Sequence, residues 1–70
     1  MGVDVERLKK KIVETNLTQE ILAKSIGIHR TTFYRKCESG GEEFTISEMN
    51  GMIKELRLNV NEVYEIFLLF

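Results

Sequence analysis

Val5, Leu8 and Ile12 recur at steps of three and four residues, with Val13 beside them. That spacing is the apolar face of a first helix, from about Val3 to Thr15. Thr15-Asn16-Leu17 breaks the pattern, and Thr18 has the right chemistry to cap a second helix. There Leu22 and Ile26 stand four apart with Ala23 beside Leu22, while Ile21 leans outward. A small residue such as Ala23 marks the close approach of a neighbouring helix. Gly27 then ends the helix, because a glycine just past the last turn adopts the left-handed conformation at little cost. Ile28 is expected to be buried in the turn. A third helix opens near His29 or Arg30, with Phe33 as its inward anchor.

Glu38-Ser39-Gly40-Gly41-Glu42-Glu43 reads as the one real loop, its paired glycines suiting a turn. After it, Thr45-x-x-Glu48 forms a capping box ahead of Met49, Met52, Ile53 and Leu56, which predicts a fourth helix from about Ile46 to Arg57. Gly51 inside that helix marks either a close crossing or an exposed position. Asn59-x-x-Glu62 repeats the capping logic and opens a fifth helix through Val63, Ile66 and Phe67. The final residues Ile66-Phe67-Leu68-Leu69-Phe70 are all apolar and so go right round a helix, of which one core covers only one side. The pattern predicts an all-α fold: one compact five-helix domain over residues 1–70.

Size and composition narrow the chemistry. Seventy residues suit a single small domain, and no apolar run approaches the roughly 18 residues needed to cross a bilayer. Met1-Gly2 opens like a myristoylation signal, but Glu6 stands where Ser or Thr is wanted. Cys37 is the single cysteine, so no internal disulfide can form and a reducing cytoplasm is the expected setting. One His and one Cys are too few soft ligands for a protein metal site. His29 has no adjacent nucleophile pattern and there is no glycine-rich phosphate loop. The expectation is therefore no enzyme, no cofactor and no small-molecule substrate.

The net charge of -1 is unevenly spread. Residues 1–40 hold eight basic and five acidic side chains, a balance of +3, and residues 41–70 carry -4. Lys9, Lys10 and Lys11 fan round the first helix as a solvated face. Between Ile21 and Cys37 stand Lys24, Arg30, Arg35 and Lys36 with no acidic residue. The positive side of the molecule is accordingly expected to coincide with this segment.

From Leu17 to Lys36, two short helical patterns meet at a glycine. Leu22, Ile26, Ile28 and Phe33 fall where two helices share one small core, leaving Gln19, Arg30, Thr31, Tyr34 and Arg35 outside. That is a helix-turn-helix in sequence. The pattern Leu17-Thr18-Gln19-Glu20-x-Leu22-Ala23-x-x-Ile26-Gly27-Ile28-x-Arg30-x-Thr32-Phe33 resembles the lambda-repressor and Cro class of regulators, common in phages and mobile elements. The resemblance is specific over residues 17–36 and covers the rest only in outline. It implies a five-helix DNA-binding domain whose helices 2 and 3 form the helix-turn-helix. It also implies base-edge contacts from Arg30, Thr31 and Arg35, and DNA-backbone contacts from Gln19, His29, Thr32 and Tyr34. The family would place a hydrophobic residue or tryptophan near Lys36, so the end of the recognition helix departs from the pattern.

The side-chain chemistry agrees with that implication. Arginine pairs bidentately with guanine O6 and N7, and threonine offers a hydroxyl, or its methyl to thymine. His29 also suits a helix cap, and Tyr34 also suits packing on the scaffold. Cys37 reads as inert packing or surface. The expected function is a sequence-specific regulator of double-stranded DNA, a repressor acting by operator occupancy. It is expected to pair as a two-fold homodimer through the apolar end of the fifth helix, Leu68, Leu69 and Phe70. A core cap or a cut end are the other readings of those residues. The alternative function is a protein-interaction module, antitoxin-like or antirepressor, that keeps the same fold.

Overall fold

The computed structural model describes residues 3–68, the side chain of residue 68 excepted. Among them are five α-helices and no strand: α1 Val5–Glu14, α2 Gln19–Ser25, α3 Arg30–Glu38, α4 Ile46–Glu55 and α5 Val60–Val63, which runs on into a π-helical turn, Tyr64–Leu68. None is long and apolar enough to cross a membrane.

Each helix starts on a side chain that accepts from a backbone N–H. Asp4, Thr18, His29, Thr45 and Asn59 are the caps, and the last two form full capping boxes with Glu48 and Glu62. The ends of α1 to α4 are equally uniform. Each closes with the paired bonds of a Schellman motif, for example Ile28 N–H to Ala23 O at 3.0 Å and Gly27 N–H to Lys24 O at 3.1 Å. The left-handed residue is Asn16, Gly27, Gly40 and Arg57 in turn. Three of the four inter-helix connections are therefore the same turn: a left-handed residue, an apolar residue (Leu17, Ile28, Leu58), then the next helix's cap.

α2 lies at the centre, packed against α1, α3 and α4, while α1 also meets the π-turn. Leu8 and Ile12 of α1, Leu22 and Ala23 of α2, Phe33 and Cys37 of α3, Met52 and Leu56 of the fourth-helix region, and Ile66 and Phe67 of the π-turn are buried together. Gly51 sits at a close crossing: a Cβ there would stand 2.8 Å from Ile26 Cγ2. Phe44, in the segment leading to α4, is buried with its ring 5.4 Å from that of Phe33.

Three expectations are corrected. Val13 is 72% exposed, because it lies about 100° round the helix from Ile12 and off the stripe that faces α2. Ile28 is only half-buried, since the turn it occupies lies at the surface. The fifth helix does not continue as α. Its wider π-turn carries Ile66 and Phe67 into the core, each 3% exposed. The backbone N–H of Asp4 donates to Ile66 O at 2.7 Å. That bond ties the start of α1 to this turn.

Candidate nucleic-acid interface

α3 has two unlike sides. Phe33, Lys36 and Cys37, at steps of three and four, face the body of the protein. Arg30, Thr31, Tyr34 and Arg35 are exposed and lie within an arc of about 140° on the opposite side. Glu38 shares that side. The nine-residue helix is about 13 Å long.

The structure brings most of the expected site residues to this region. His29 is the N-cap of α3: its Nδ1 accepts from Thr31 N–H at 3.2 Å and lies 2.9 Å from Thr31 Oγ1. The cap reading of His29 therefore holds, and Thr31's hydroxyl is held toward the start of the helix. Thr32 is half-buried on the flank. Gln19 is the half-buried first residue of α2, and the Arg30 guanidinium at the start of α3 lies 3.1 Å from Glu20 in the first turn of α2. Tyr34 is 43% exposed, so its ring is neither core nor fully solvated.

The expected concentration of positive charge is reduced rather than lost: Lys24, Arg30 and Arg35 are exposed, but the fourth cation lies elsewhere. Lys36 is not on this surface but 9% exposed, within the body. Its ammonium donates to both carboxylate oxygens of Glu48, at 2.7 and 2.9 Å, and lies 5.9 Å from the centre of the Phe44 ring. Arg35 lies 3.0 Å from Glu43, as Arg30 does beside Glu20. Each arginine of the face is thus matched by a glutamate from a flanking element. Neither Glu20 nor Glu43 was legible as a site residue, because the pairing spans ten and eight positions and no helical spacing links the partners. Lys36 carried a signal: it stands three residues after Phe33, on the inward stripe.

Burial pushes the Glu48 carboxyl up, but the Lys36 ammonium and the Thr45 N–H outweigh it and hold the group below the ordinary carboxylate range. Glu48 therefore caps α4 and neutralises the buried Lys36. Glu62 repeats the device on α5, accepting from Asn59 N–H and from the Lys11 ammonium of α1. The Lys11 bond is the main cause that lowers its carboxyl. Cys37 is buried, and that burial raises its thiol above the usual range, which favours the protonated, less nucleophilic form. Among the described residues no three His, Cys, Asp or Glu side chains group as a metal site.

No protein-family model matches the chain, nor does any curated protein or solved structure.

Proposed function

We propose that the chain is a sequence-specific regulator of double-stranded DNA, with α2 and α3 acting as a helix-turn-helix of the lambda-repressor and Cro type and α3 lying in the major groove. One observation carries the reading: α3 is fastened by Phe33, Lys36 and Cys37 while Arg30, Thr31, Tyr34 and Arg35 stand exposed on its other side. A helix of that length fits a groove roughly 12 Å wide. Arg30, Thr31 and Arg35 then read base edges, and Gln19, His29, Thr32 and Tyr34 hold the backbone and fix register. The cytoplasmic protein has no catalytic role, and it represses by occupying its operator.

One recognition helix reads few base pairs, so the proposal includes a two-fold homodimer that spans two half-sites about one DNA turn apart. The pairing surface is the end of the fifth helix. Leu69, Phe70 and the side chain of Leu68 lie outside the described residues. Support comes from Val60 of α5 and Tyr64 at the start of the π-turn that continues it, 84% and 53% exposed. Sedimentation showing only monomer at high concentration, with one-to-one binding on a symmetric duplex, would refute the dimer.

The test of the main reading is a gel-shift titration across salt. A DNA binder loses affinity with a log–log slope of about -0.9 per phosphate contacted. The rival, a protein-interaction module, is favoured by the -4 balance of residues 41–70 and by exposed Ile46. It predicts no DNA binding at about 50 mM salt.

A further inference from the structure

The two arginines of the α3 face share a feature that DNA reading alone does not require. Arg30 Nη1 lies 3.1 Å from Glu20 Oε2 and Arg35 Nη1 lies 3.0 Å from Glu43 Oε1. All four side chains are more than half exposed. The glutamates come from outside α3, one from the first turn of α2 and one from the loop before α4. They flank the face from two directions.

Resting on the DNA-binding reading, we propose that Glu20 and Glu43 are specificity-determining residues: each holds its arginine through one Nη1 and turns an anionic phosphate away, while the remaining N–H groups stay open to a neutral guanine edge. A phosphate offers an arginine a contact on every sequence, so an unpaired arginine binds DNA indiscriminately. Once paired, the same arginine carries beside it a carboxylate that repels an approaching phosphate. A guanine edge is neutral and offers O6 and N7 to the N–H groups that the carboxylate leaves free, so it is met with the pair intact. The pairs thus lower binding to random sequence more than binding to the right sequence, which is discrimination by disfavouring the wrong partner.

Exposed ion pairs are individually weak, so the expected effect is a few-fold per glutamate. The comparison uses the full chain, wild type against E20Q/E43Q, on a mixed-sequence duplex and on the tightest duplex recovered from a random pool. The expected result is about a 10-fold gain on the mixed duplex and less than about 3-fold on the selected one. E6Q/E55Q makes the same change in net charge at two exposed glutamates that have no ion pair among the described residues, and it should gain less than about 2-fold on either.

Equal gains for the two double variants would show an effect of overall charge and overturn the proposal. So would equal gains on the two duplexes, or no gain. In those cases R30A/R35A still loses binding and the DNA-binding reading stands. If wild type and R30A/R35A alike fail to bind either duplex, the DNA-binding reading falls and takes this proposal with it.

Discussion

Arg35 and Lys36 are neighbours in the chain, and both pair with glutamates from the segment just before and within the start of α4. Their situations differ. The Arg35–Glu43 pair is 63% and 53% exposed, and the Lys36–Glu48 pair 11% and 12%. One step along a helix turns a side chain by about 100°, and here that step separates a solvent-facing cation from an interior one. The first pair costs little to break and leaves its arginine open to a ligand. The second replaces an apolar contact in the core, and breaking it strands a carboxylate. Sequence charge counts treat the two alike, yet only one contributes to the outer surface.

The largest expected effect breaks the interior pair. Lys36→Ala should lower folding stability by about 3 kcal/mol, because Glu48 is left without its cation in a poorly hydrated site. The same change at Arg35 should stay within about 0.5 kcal/mol. Urea denaturation compares them directly. K36M/E48Q, which fills the space and keeps an acceptor for the Thr45 N–H, should return to within about 1 kcal/mol of wild type. A loss as large as that of Lys36→Ala would show that the charge itself is needed.

Binding should invert the ranking. Arg35→Ala and Arg30→Ala are each expected to cost about 1 to 3 kcal/mol of specific DNA affinity with folding intact. Gel shifts, read beside circular dichroism, separate lost contacts from lost structure. Unchanged affinity in both variants would remove these residues from the interface.

Acid should act on the interior pair. The Glu48 carboxyl is held below its ordinary range, and so is that of Glu62. A carboxyl lowered by folding adds stability that is fully present above its unfolded value and is lost as pH falls through the folded one. Thermal midpoints should therefore fall as pH drops from about 5 toward 3, and the fall should be shallower in K36M/E48Q.

The smallest effect concerns a turn and serves as a control on the comparison. Arg57 takes the left-handed position, φ 53°, that Gly27 takes in the corresponding turn at 84°. Arg57→Gly should raise stability by up to about 1 kcal/mol. Combined with Lys36→Ala it should add independently, recovering enough folded protein to test whether the interior pair matters to binding at all. Gly27→Ala should cost about 1 kcal/mol in the opposite sense.

The helices, the caps of all but the first, and most of the core were readable in the chain because each rests on local chemistry. Thr18, Thr45 and Asn59 bond N–H groups three residues on. Leu8, Ile12, Leu22, Phe33 and Met52 sit at helical spacing. The exposed face of α3 was readable for the same reason, as what remains when the inward stripe is removed. Phe44 was missed as a core residue because it belongs to no helix and its burial depends on Phe33, eleven positions earlier. Gly51 could be read two ways until Ile26 was found against it.

By itself, then, the sequence determined an all-helical chain, where the second to fifth helices start, and which residues α3 turns outward. Those outcomes depend on interactions within three or four residues, where the backbone alone sets the geometry. Tertiary structure alone decided that Lys36 is interior, that Glu20 and Glu43 stand beside the two arginines, and that the last helix widens into a π-turn. Each depends on groups remote in the chain sharing one small space, and no local periodicity records which charges will meet there.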